Sequence, residues 1–183
     1  MPLPIERGLA KTFAGHIHWR ACGRGPAVMI SHINQQSSAL MVELLQALAP
    51  NFRAVAIDYP SHGHSDPFDG QPTIEDYARC VIEVMDSLKI ERAFAMGEAV
   101  GAGVSYCLGA NYPQRIDKVI AVNTPFFEAG GNDIADINND ALPDIIEMDM
   151  MPADNYRQKM MYNDISYQTF QNSARFGYMH QYS

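Results

Sequence analysis

Residues 92–103 read RAFAMGEAVGAG, and the way this stretch divides decides the fold. Residues 92–96 form a short apolar run, of strand length and closed by a glycine. Gly97-Glu98-Ala99-Val100-Gly101-Ala102-Gly103 then gathers small residues where a chain must turn sharply and pack closely. Residues 100–111 suit a helix that Pro113 stops, and the apolar run at 118–122 suits another strand. The unit is strand, tight turn, helix, strand.

The same alternation extends upstream. Residues 54–57 suit a buried strand. Thr73 is placed to cap a helix with Glu75 and Asp76 in its first turn and an apolar stripe of Tyr77, Val81, Val84, Met85 and Leu88. Ser37 or Ser38 is the expected cap of an earlier helix carrying Leu40, Met41, Leu44, Leu45 and Leu48, stopped by Pro50. Residues 16–21 alternate weakly and 27–30 are apolar; with Gly23-Arg24-Gly25-Pro26 between them, they are expected to pair as a hairpin. Strands separated by helices of this length predict an α/β class with a mostly parallel sheet flanked by helices on both faces. In such sheets ligands bind beyond the carboxyl ends of the strands.

Three post-strand stretches carry the polar chemistry: Ser31-His32-Ile33-Asn34, then Asp58-Tyr59-Pro60-Ser61-His62-Gly63-His64-Ser65-Asp66, then Gly97 to Gly101. With Asn111-Tyr112-Pro113 and VIAVNT at 119–124 following in order, the chain from about residue 18 to 123 resembles the α/β-hydrolase superfamily. The resemblance implies a G-x-S-x-G nucleophile elbow at Gly97 to Gly101, an oxyanion hole from the backbone N–H groups of Asn34 and Val100, and a pocket lined by His32, Ile33, Gly97, Glu98 and Gly101. It departs from the family in three ways. Ala99 stands at the nucleophile position, where a methyl group cannot attack a carbonyl. Ile33 stands where the family usually has glycine. Eight strands of this architecture need roughly 240 residues, so the chain of 183 residues is expected to stop after the sixth strand and the start of a helical cap, without the acid and histidine of a triad. His180, with no strand before it, is not expected to replace that histidine.

Charge divides the chain. Residues 126–183 hold nine of its 21 acids and three of its 13 bases, together with six of its 11 methionines. The expected organisation is therefore an incomplete α/β core at 1–125 and an acidic, Met/Tyr-rich cap or lid at 126–183. A net charge of −8 repels phosphate backbones and anionic lipid, so neither nucleic acid nor a membrane surface is an expected partner. Cys22, Cys80 and Cys107 are odd in number and share no metal spacing, which suits a reducing, cytoplasmic setting. His62 and His64 lie two apart in a turn whose first histidine the resemblance already accounts for, and His16 and His18 share a strand face with no third ligand in view, so no metal and no cofactor are expected.

For function, the resemblance implies descent from ester, thioester, lactone or C–C bond hydrolases, with this chain expected to be inactive because Ala99 replaces the nucleophile and the triad acid and histidine are missing. The alternative is a pseudoenzyme that binds a small carbonyl ligand or a partner protein. The N-myc downstream-regulated proteins are similar to it in a glycine- and alanine-rich elbow without a nucleophile. A homo-oligomer formed through the open sheet edge or the cap is the expected self-association.

Overall fold

A computed structural model describes residues 3–123 and the backbone of a strand at Asp144–Met148. In chain order the elements are β1 (Glu6–Thr12), β2 (Gly15–Cys22), β3 (Ala27–Ser31), α1 (Val42–Leu48), β4 (Arg53–Ile57), α2 (Ile74–Ser87), β5 (Ala93–Glu98), α3 (Val100–Asn111), β6 (Ile116–Val122) and β7 (Asp144–Met148). The strands form one sheet in the order β1-β2-β4-β3-β5-β6-β7. β1, β2 and β4 pair antiparallel, while β4, β3, β5, β6 and β7 are parallel. This is the mostly parallel, two-faced sheet that the sequence predicts.

β3 shows why the centre holds. Its five residues are all buried, and they alternate between two cores: Ala27 and Met29 join one, Val28 and Ile30 the other. The first core also takes the stripe of α2 (Tyr77, Val81, Val84, Met85) and Val104 and Leu108 of α3; the second takes Met41 and Leu45 around α1. A strand covered on both faces shows a continuous apolar run, not an alternating one. α2 starts with a reciprocal capping box, Thr73 Oγ1 accepting from the Asp76 N–H at 3.2 Å and Asp76 Oδ2 accepting from the Thr73 N–H at 2.8 Å.

Three local expectations are corrected. β2 and β3 are not a hairpin: β2 pairs with β1 on one side and β4 on the other, and β3 lies between β4 and β5. Gly23 and Gly25, both at positive φ, carry the connection against the carbonyls of Ala49, Phe52 and Asn51, where a Cβ would not fit. β1, which the sequence reading does not anticipate, supplies the hairpin partner. Neither Ser37 nor Ser38 caps α1, which begins after Met41 without a side-chain cap. Ser38 is buried and bonded to Asp58 instead. Finally, residues 144–148, assigned from the sequence to the acidic segment, add a seventh strand beside β6.

Candidate functional site

The chain reverses its direction of winding at β3. From β3 it passes through α1 to β4 on one side, and from β4 through α2 to β5 on the other. The loops leaving β3 and β5 therefore part at a topological switch point, where open α/β sheets form their binding crevice.

The turn after β5 is fixed by what it lacks. A Cβ on Gly97 would collide with the Gly101 carbonyl, and one on Gly101 with the carbonyls of Ser31 and His32. The two glycines thus let the start of α3 fold onto β5 and press against the end of β3. Ala99, between them, has φ 51° and ψ −114°, a conformation that costs a non-glycine residue about 1–3 kcal/mol. It is held there from both sides: its N–H donates to the Val122 carbonyl at 3.0 Å, and its carbonyl accepts from the Ala102 N–H at 2.9 Å. Val100 opens α3, so its N–H belongs to the first turn, which has no intrahelical acceptor. Glu98 and Ala99 are half-buried at the strand end.

Across the crevice, His32 is fully buried and its two ring nitrogens are both engaged. Nε2 accepts from the Tyr59 N–H at 3.3 Å, which makes Nδ1 the protonated nitrogen, donating to the Ile33 carbonyl at 2.6 Å. Burial pushes this imidazole below its ordinary pKa despite the carbonyl. His32 packs on Tyr59, itself stacked on Tyr77 with ring centres 4.3 Å apart. Asn34 lies exposed in the turn beyond, its Oδ1 3.4 Å from His62 Nε2. Ile33 does not take a positive φ; in this loop that conformation falls on Gln35, at 59°.

The third loop hangs from Asp58, which is completely buried. Its Oδ1 accepts from the Ser38 N–H at 2.6 Å, and its Oδ2 from the His64 N–H at 2.9 Å and from His18 Nδ1 at 3.0 Å. Burial alone would raise this carboxyl, but the hydrogen bonds from Ser38 and His64 and the nearby His18 outweigh it and hold it below the usual carboxylate range. Ser65 Oγ donates to the Asp58 carbonyl and accepts from the His18 N–H, stitching the loop to β2.

The structure thus brings His32, Ile33, Gly97, Glu98, Ala99, Val100 and Gly101 to one end of the sheet, with Asn34 at the rim. It also brings together a set that the sequence reading left apart: His62 turns toward His32 and Asn34, whereas His64 turns toward His18 and Asp58. No local spacing signals this grouping, because His18 and Asp58 are 40 residues apart. His180 and the Met/Tyr-rich segment lie outside the described residues, apart from the backbone of β7.

Comparison with known proteins agrees with this architecture. A family model described as alpha/beta hydrolase fold matches residues 26–177. Haloalkane dehalogenase 2 of Mycobacterium bovis is 32% identical over 127 residues, covering 69% of this chain and 44% of the relative. The pimeloyl-[acyl-carrier protein] methyl ester esterase of Vibrio campbellii is 30% identical over 115 residues, 62% of this chain and 43% of the relative. Among solved structures, the enol-lactonase from Burkholderia xenovorans LB400 superposes with a TM-score of 0.62 at 30% identity, covering 64% of this chain and 46% of that one. The chain spans less than half the length of the curated relatives it matches.

Proposed function

This chain belongs to the alpha/beta hydrolase fold family, and from that premise we propose that residues 97–101 are its nucleophile elbow with the nucleophile replaced by Ala99. The chain then binds a small carbonyl compound, of the ester or lactone class named for the esterase and the enol-lactonase it resembles, without forming an acyl-enzyme. The observation that carries this reading is the backbone of Ala99. An alanine held at φ 51° between two glycines that admit no Cβ keeps a strained turn for which a methyl group has no use. That geometry aims the residue at position 99 outward from the strand end, as a nucleophile requires.

The roles follow by position. A ligand's carbonyl oxygen accepts from the N–H groups of Val100 and Asn34, and the start of α3 adds partial positive charge there. Ile33 and Glu98, both half-buried, stand at the wall of the pocket, with His32, Gly97 and Gly101 buried behind them. His32 supports that wall and transfers no proton, because it is buried and both of its ring nitrogens are already bonded within the fold. With no hydroxyl at position 99, the tetrahedral adduct that would precede an acyl-enzyme has no bond to form. Loss of that group costs on the order of a million-fold in turnover for serine hydrolases.

The test uses p-nitrophenyl butyrate with the unaltered chain and with Ala99→Cys, read at about pH 8.5, where a thiol ionises without a partner base. The unaltered chain should bind the ester saturably and show neither a p-nitrophenolate burst nor an acyl adduct at position 99 by peptide mass. Ala99→Cys should gain the thioester adduct at that position. Acylation of the unaltered chain at the elbow, absence of saturable binding, or a cysteine variant not acylated at position 99 would each overturn the proposal.

A further inference from the structure

His18, Asp58 and His64 form a cluster apart from the pocket, on the opposite side of the loop after β4. His18 is buried on β2 and Asp58 is buried at the end of β4, while the His64 side chain is 72% exposed. His18 Nδ1 lies 3.0 Å and His64 Nδ1 3.8 Å from the same oxygen, Asp58 Oδ2, and the three ligand atoms all fall within 4.8 Å of one another. Among the described residues this is the group whose donors converge on one point in the manner of a metal site.

We propose that His18, Asp58 and His64 bind a divalent transition-metal ion of the zinc type, with the fourth position open to solvent beside His64. A tetrahedral ion with ligands at about 2.0–2.1 Å needs its donors about 3.3 Å apart. The two separations from Asp58 bracket that value, and the exposed His64 ring has room to supply the remaining adjustment. Two imidazoles and one carboxylate suit zinc, cobalt or nickel and not calcium or magnesium, which take oxygen ligands. The set is also pre-oriented. Backbone N–H groups of Ser38 and His64 fix the Asp58 carboxylate, and Ser65 ties His18 and Asp58 together through its hydroxyl. Such outer contacts raise affinity by holding ligands in place before the ion arrives.

Binding balances simply. Asp58 is an acceptor, so His18 Nδ1 carries the proton between them. When the ion occupies Nδ1, that proton moves to Nε2 and the neutral ring becomes a ligand. The ion would clamp β2 to the loop whose other face presents His62 to Asn34, fixing one wall of the candidate pocket. This inference does not rest on the reading of Ala99.

The test is titration of the full chain, stripped with chelator, with Zn2+ by calorimetry, together with thermal melts. His64→Ala is the decisive variant: its side chain is exposed and its backbone N–H still serves Asp58. The expected result is one Zn2+ per chain, with affinity lowered about tenfold or more in His64→Ala and unchanged in His16→Ala and His62→Ala. Zn2+ should raise the Tm of the unaltered chain and leave that of His64→Ala where it was. No saturable Zn2+ binding, or equal binding by His64→Ala, would reduce the cluster to a hydrogen-bond node and overturn the proposal.

Discussion

The turn after β5 and the loop after β4 stand at the same end of the parallel sheet and are built by opposite means. The turn is made by backbone: Gly97 and Gly101 leave no room for a Cβ, Ala99 holds a positive φ, and the hydrogen bonds that fix it run from main chain to main chain. The loop is made by side chains, with Asp58 gathering the Ser38 and His64 N–H groups and the His18 ring, and Ser65 closing the circuit. On the proposed reading of Ala99, scaffold and reactive group are separable in the turn, so that a nucleophile can be lost while the frame persists. In the loop the carboxylate is itself the frame, and, on the proposal of a metal site, it is also a ligand.

That contrast predicts effects of opposite sign for trimming the two side chains. Asp58→Ala strands the buried Ser38 N–H and His18 ring donors, each costing roughly 1–3 kcal/mol when unsatisfied, and frees the part-buried His64 N–H. Urea unfolding should register a loss of about 4 kcal/mol, comparable to breaking a buried charged pair. A loss below about 1 kcal/mol would mean that water serves those donors and that the loop does not depend on its carboxylate. Ala99→Gly removes a Cβ from a conformation that glycine adopts freely. It should stabilise by roughly 0.5–1 kcal/mol, after the greater freedom of glycine in the unfolded chain is subtracted. A loss of stability in this variant would show that the methyl group packs usefully, and would erase the difference between the two regions.

The contrast also explains what the sequence discloses. The turn is local: Gly97, Ala99 and Gly101 stand within five residues, and the demand for small residues at fixed offsets is written in order along the chain. The same holds for the Thr73 and Asp76 capping box and for the apolar run of β3. The Asp58 node is non-local. His18 approaches Asp58 because β2 lies antiparallel to β4, with Trp19 opposite Ile57, and no spacing within either segment announces that pairing. β1 escapes notice for a related reason: as an edge strand with one face to solvent its residues are mostly exposed, so its apolar signal is weak. The glycine-rich connection between β2 and β3 misleads because glycine marks close approach of backbones as readily as a hairpin turn, and here it marks the former.

His32 lies between the two regimes, a buried side chain whose bonds are all to backbone, and its titration gives the smallest expected effect. The groups that face it are the Ile33 carbonyl, the Tyr59 and His62 rings and, at longer range, the Asp58 charge. Burial dominates, so the folded chain takes up the proton at lower pH than the unfolded chain does. Above about pH 6.5, the ordinary histidine value, both states are neutral at this ring and it makes no pH-dependent contribution. As pH falls below that value the unfolded chain gains a proton that the folded chain refuses, so stability declines until the folded value is reached. The urea midpoint should therefore fall on going from about pH 7 to pH 5, and it should fall less steeply in His32→Gln, by no more than the slope of one proton. Comparing slopes leaves any overall loss of stability in the variant out of the reading. Equal slopes would mean that water reaches the ring at the end of β3, and would place His32 with the solvated loop histidines instead of with the core.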